Sequence, residues 1–154
     1  MSDPSRAPVR VVCIARHALL AEHVCALARG AALEPFCAVG FAAGYALTLE
    51  LRPDAVLCDY DLLVSAPIAA WFGDARVAAT PLIAVSLTRR PDEAVSALDS
   101  SLAAFLYLPT FTPESIGLIV RAIALGKRPD GVALPATASP LSWPSERGAS
   151  RPRA

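Results

Sequence analysis

The chain has 154 residues, enough to bury a full core in one domain without covalent staples. Its 14 basic side chains balance 14 acidic ones, so no global field draws it to nucleic acid or to an anionic membrane, and any partner has to be recognised locally. The apolar charge-free stretch between Glu34 and Glu50, which no other exceeds in length, is broken by Pro35, Gly40 and Gly44 and is shorter than the roughly 20 residues a membrane helix requires; MSDPSRAPVR at the start has no apolar signal-peptide core.

In chain order, Val9 to Ala15 (VRVVCIA) reads as a first buried strand. From His17 to Arg29 a helix follows, with Leu20, Val24 and Leu27 on one face and Gly30 expected as its C-terminal cap. Leu33 to Val39 is a second strand, and Pro35 near its start suits an edge position, because proline cannot donate to a ladder. A weakly patterned helix over Ala42 to Leu51 is ended by Pro53.

The third strand, PDAVLCDYD from Pro53 to Asp61, is apolar from Ala55 to Cys58 and then releases two carboxylates. In an open parallel sheet reactive groups gather at the carboxyl ends of strands, where Asp59 is placed; an Asp there is also a common turn former or helix cap. Ser65 and Pro67 are expected to start a short helix through Trp71 and Phe72 to Gly73. PLIAVS (Pro81 to Ser86) is a fourth buried strand, followed by a helix opened by Pro91, Asp92 and Glu93 with Val95, Leu98 and Leu102 on one face. AFLYL (Ala104 to Leu108) is the fifth strand. Thr112, Pro113 and Glu114 then give the clearest helix start in the chain, its buried stripe being Ile116, Ile119, Val120 and Ile123.

Residues 1–8 thus form an N-terminal extension, 9–128 a folded domain, and 129–154 a Pro-, Ser- and Arg-rich tail expected to lack fixed structure. Within the tail, Trp143 is either the anchor of a linear recognition motif or an ordinary loop aromatic. Cys13, Cys25, Cys37 and Cys58 form no CxxC pair and no ligand set with His17 or His23; they are expected to be free, buried thiols in a reducing cytoplasm. Five alternations of strand and helix predict an α/β fold, a doubly wound five-stranded parallel sheet in the order 2-1-3-4-5. That order sets Ala15 and Arg16, after the first strand, beside Asp59.

From about Arg10 to Arg128 the chain resembles the receiver domain of bacterial two-component response regulators, which has this flavodoxin-like fold. The resemblance rests on PDAVLCDYD, PLIAVSL, AFLYLPTFTPESI and RAIALGKRP; the last is similar to the receiver end of helix-turn-helix regulators, although here a Pro-rich tail follows in place of a DNA-binding domain. It implies that Asp59 stands at the phosphoacceptor position, Ser86 at the hydroxyl position that contacts the phosphoryl group, and Phe105 at the aromatic position that reports activation. Two positions depart from the pattern. Ala15 and Arg16 stand where the family carries an acidic pair for Mg²⁺, and Leu108 stands where it carries a Lys.

The resemblance therefore implies a degenerate, non-enzymatic receiver, a pseudo-receiver that acts by protein–protein interaction. It is expected in the cytoplasm, with a histidine kinase or another regulator as partner, homodimerising through the fourth helix, fifth strand and last helix, and with no nucleic-acid or membrane partner. No cofactor and no metal site are expected. The alternative is a single-domain response regulator still phosphorylated on Asp59 by a histidine kinase with Mg²⁺ as cofactor. Arg16 has two readings, a guanidinium that fills the pocket against Asp59 or a solvated loop side chain. A flavin- or substrate-binding enzyme on the same fold is disfavoured: the ARHALLAE loop has no phosphate cradle and Ser86 lies in no G-x-S-x-G elbow.

Overall fold

A computed structural model describes residues 7–88, 102–126 and 138–139. Its elements run β1 (Arg10–Ala15), α1 (Ala18–Gly30), β2 (Glu34–Val39), α2 (Phe41–Leu51), β3 (Ala55–Asp59), three short helices α3 (Tyr60–Ser65), α4 (Ile68–Gly73) and α5 (Ala75–Ala78), β4 (Leu82–Ser86), β5 (Ala104–Tyr107), a 3-10 turn (Leu108–Thr110) and α6 (Pro113–Ala124). The first five strands are all parallel, in the order β2-β1-β3-β4-β5. A two-residue strand β6 (Ala138–Ser139) adds antiparallel to β5 beyond the predicted five; the rest of the tail, Trp143 included, and the helix expected from Pro91 lie outside the described residues.

Side chains alternate across this sheet with period two, which builds two cores. Val11, Cys13, Leu57, Ile83, Val85 and Leu106 pack on the side of α1 and α6. Val12, Ile14, Val56, Cys58, Leu82, Ala84 and Phe105 pack on the side of α2 and the short helices. Central strands buried on both faces explain the unbroken apolar runs in β1, β3 and β4. The edge position of β2 agrees with Pro35.

Local details depart from expectation for identifiable reasons. The buried face of α1 is Ala21, Val24, Cys25 and Ala28, with Leu20 and Leu27 at its margin, because small side chains let the helix sit close on the sheet. Gly30 belongs to the helix, and the left-handed residue after it is Ala32 (φ 61). A helix unforeseen in the sequence, α3, starts at once after β3 and ends at Ser65, whose Oγ bonds back to the carbonyls of Asp61 and Leu62; the predicted short helix is α4, starting after Pro67 instead of Ser65. Close approaches fix two helices. A Cβ on Gly44 of α2 would fall 2.3 Å from Cδ1 of Ile14, and one on Gly117 of α6 would fall 2.6 Å from the Ala31 carbonyl, which also accepts from Arg121 at 2.9 Å.

The cysteines are not all free. Cys25 of α1 and Cys37 of β2 are joined in a disulfide, with Cα atoms 6.4 Å apart, while Cys13 and Cys58 are free and buried. Cys37 is also exposed, since it lies on the outermost strand. The bridge removes the basis for reading a reducing compartment from cysteine usage.

Candidate functional site at the carboxyl edge of the sheet

The register brings the relevant strand ends together. Ile14 pairs with Cys58 and Asp59 with Val85, so Ala15, Asp59 and Ser86 close three adjacent strands at one edge. Here β1 has β2 on one side and β3 on the other, and the connections from β1 and β3 leave in opposite directions, opening a crevice.

Asp59 ends β3 and is the N-cap of α3, so the helix-cap reading is realised at the strand end. Its Oδ1 accepts from the backbone N–H of Asp61 (3.2 Å), satisfying a donor at the helix start. Its Oδ2 accepts from Nε of Arg16 (2.5 Å) and, at 3.4 Å, from the Arg16 backbone N–H. The same guanidinium reaches Asp61, with its Nη2 3.4 Å from Oδ2. Asp59 is only 3% exposed, whereas the Arg16 side chain is 46% exposed. A nearly buried carboxylate is thereby held by a cation that spans two acids and keeps one edge in solvent. Of the two readings of Arg16, pairing with Asp59 is the one realised.

The other predicted positions are placed as follows. Ala15 is wholly buried and brings no oxygen from its side chain. Ser86 is buried at the end of β4, where its Oγ accepts from the Thr88 N–H at 3.2 Å. Phe105 is fully buried, its ring 4.9 Å from that of Tyr60 and set edge-on to it; the residue after Asp59 thus meets the predicted aromatic position inside the core. Leu108 is 6% exposed and packs in the α1/α6 core, so it adds no apolar patch to the surface of the fourth helix, fifth strand and last helix expected to carry contacts. Exposed apolar bulk on that face lies on α6 and just past it instead, at Leu118 and Leu125.

A divalent ion of the Mg²⁺ type needs several hard oxygen ligands near octahedral geometry. These residues do not fit one: Ala15 supplies none, and Oδ2 of both Asp59 and Asp61 faces the Arg16 guanidinium. Among the described residues no group of three or more His, Cys, Asp or Glu side chains is placed to hold a metal. Asp61 is the site residue that the sequence reading left without a role; its position two after Asp59, in the first turn of α3, is the signal that points to it. Around the edge, Leu19, Val39, Val64 and Leu87 are exposed, each within a few residues of the end of β1, β2, β3 or β4.

Beneath the edge a second polar cluster ties α2 to the short helices. The Tyr45 hydroxyl donates to Asp74, which is also bound by the Arg76 guanidinium at 2.8 and 3.0 Å and caps α5 through the Arg76 N–H at 2.9 Å. Arg76 above all, then Tyr45, hold the Asp74 carboxyl well below the usual range, and Asp74 in turn raises the Tyr45 phenol.

No family model and no curated protein matches the chain. Solved structures do. The chemotaxis response regulator CheY4 of Vibrio cholerae superposes with a TM-score of 0.60 at 16% identity, over 77% of this chain and 99% of that one. A response regulator from Desulfuromonas acetoxidans gives 0.59 at 13% identity, over 76% and 98%. The signal receiver domain of a signal transduction histidine kinase from Syntrophus aciditrophicus gives 0.59 at 16% identity, over 82% and 98%. No helix among the described residues is long and apolar enough to cross a membrane. The chain therefore has the doubly wound 2-1-3-4-5 fold that these receiver structures share.

Proposed function

We propose that the protein is a receiver-like module of two-component signalling that works by binding a partner and does not run on Mg²⁺-dependent phosphorylation. The observation that carries this reading is the Arg16 guanidinium seated on Asp59 and Asp61, at the position where a receiver would hold its metal. Phosphoryl transfer to a carboxylate depends on positioning and on cations that offset charge on the phosphoryl oxygens. Arg16 supplies charge, but its Nε occupies one of the two Asp59 carboxylate oxygens, and Leu108 places no ammonium beside it.

Fold likeness to response regulators supports the signalling role, and the exposed Leu19, Val64 and Leu87 around the crevice suit a docking edge for a histidine kinase or another regulator. Leu118 and Leu125 give the α6 face a second apolar surface, in keeping with a self-association or output role there.

Beryllofluoride titrated with and without Mg²⁺, with the amides of residues 58–61 followed by NMR, tests the reading. It predicts no saturable Mg²⁺-dependent shift. A saturable one at Asp59 supports the alternative, a regulator still phosphorylated by a histidine kinase.

A further inference from the structure

The Cys25–Cys37 bridge is asymmetric in a way that gives it chemistry. Cys25 is wholly buried on the inner face of α1, whereas Cys37 is exposed on β2, a terminal strand of the sheet among the described residues. Glu34 and Gly40 donate their N–H groups to the carbonyls of Val9, just before β1, and Ala15, its last residue, so in the parallel ladder residues of even number turn their backbone groups towards β1 and Cys37 turns its own away from it. The Cα separation of 6.4 Å lies inside the range that a disulfide bridges without backbone movement. Both thiols can therefore exist in the same fold, joined or parted, and of the two residues only Cys37 is exposed, its Sγ lying 3.7 Å from the Ala21 carbonyl oxygen.

We propose that Cys25 and Cys37 form a reversible thiol–disulfide site, opened and closed in the folded protein by exchange with small thiols, with Cys37 as the sulfur that reacts. A small thiolate attacks Sγ of Cys37, the Cys37–Cys25 bond breaks, and Cys25 leaves as a thiolate that takes a proton from water. A second small thiolate attacks the external sulfur of the mixed disulfide, releasing Cys37 and the oxidised small disulfide. In sum, the protein disulfide is reduced to two thiols and two small thiols are oxidised to one disulfide; closure is the reverse. The bridge clamps α1, the helix that starts two residues after Arg16, to the edge strand. This inference does not depend on the signalling reading.

The test uses the full chain and glutathione. After equilibration of the folded protein with oxidised glutathione, alkylation in denaturant should add two groups, on Cys13 and Cys58; after equilibration of the folded protein with reduced glutathione, the same alkylation in denaturant should add four. Peptide mass mapping should find any trapped glutathione on Cys37. In Cys25→Ala, Cys37 should take one glutathione, and in Cys37→Ala, Cys25 should take none. Four adducts after oxidation, a bridge that reduced glutathione leaves intact until the protein unfolds, or glutathione on Cys25 would each overturn the proposal. Because the wild-type counts alone decide the first two, a variant that misfolds does not rescue it.

Discussion

The Nε of Arg16 stands 2.5 Å from Oδ2 of Asp59, so the end of β3 is closed by a side chain that follows β1. An ionised donor and acceptor make a strong hydrogen bond, but one partner is half in water, which lowers its net worth. A double-mutant cycle with Arg16→Ala and Asp59→Asn should give a coupling of about 1 kcal/mol in chemical denaturation. A coupling indistinguishable from zero would make the contact a passive surface pair.

Restoring the missing carboxylates should change what the edge binds. Ala15→Asp with Arg16→Asp places two acids beside Asp59 and removes the guanidinium, so Mg²⁺ binding should become measurable by calorimetry where the parent shows none. Leu108→Lys is the harder step. Leu108 lies in the α1/α6 core, so an ammonium there costs stability unless it turns out towards the crevice. The triple variant is expected to be less stable than the double one, and an equal or higher Tm would show that position 108 opens to the crevice.

Gly44 of α2 carries the packing of that helix on β1. A methyl group there meets three atoms of Ile14 between 2.3 and 2.8 Å, and Ile14 is itself fully buried. Gly44→Ala gains about 1 kcal/mol of helix propensity. Overpacking of this kind costs typically 1–3 kcal/mol, about twice that gain. The variant should be less stable in urea; unchanged or raised stability would mean that α2 can shift off the sheet.

Acid should loosen the junction of α2 with α4 and α5. The Asp74 carboxyl sits below its ordinary value of 3.8, first through Arg76 and then through Tyr45. A depressed carboxylate contributes stability that is fully present above its unfolded value and is lost as pH falls through the folded one. Tyr45→Phe removes one of the two partners, so the variant should lose less stability than the parent between about pH 4 and lower pH. Identical acid unfolding profiles would show that the Tyr45 bond does not couple to Asp74.

Burial pushes the Cys13 thiol from an ordinary 9.0 up to about 12, with Arg29 opposing slightly, and pushes Cys58 higher still, aided by Asp59. A raised thiol pKa gives stability that is present below 9.0 and lost as pH rises through the folded value. Both thiols should therefore resist maleimide at pH 8 until the protein unfolds. Labelling of either in the native state would show that the sheet opens locally.

Much of the fold is legible in the residues. A strand buried on both faces needs an unbroken apolar run, and β1, β3 and β4 have one; Pro35 marks the edge because it cannot donate. The start of α6 at Thr112–Pro113 is legible from capping chemistry, with the Thr112 hydroxyl accepting from the Ser115 N–H. What escaped reading depends on contacts between elements. The α3 helix is capped by Asp59 itself, a residue already spent on ending β3. The bridge between Cys25 and Cys37 has no local spacing signal and appears only once α1 packs across β2. Leu108 opens a 3-10 turn and packs in the core that holds Ile116, Ile119 and Val120 of α6, a contact between elements. The residues alone leave the Arg16–Asp59 contact as one of two readings, since a loop arginine reaches any acid within several ångströms.

The proposal that Asp59 is not a working Mg²⁺-dependent phosphoacceptor faces its most direct test in intact mass measurement after incubation with a small phosphodonor and Mg²⁺. With Oδ2 held by Arg16 and no acidic pair at Ala15 and Arg16, the account predicts an unchanged mass for the full chain. A stoichiometric gain of one phosphoryl group, absent in Asp59→Asn and dependent on Mg²⁺, would contradict it.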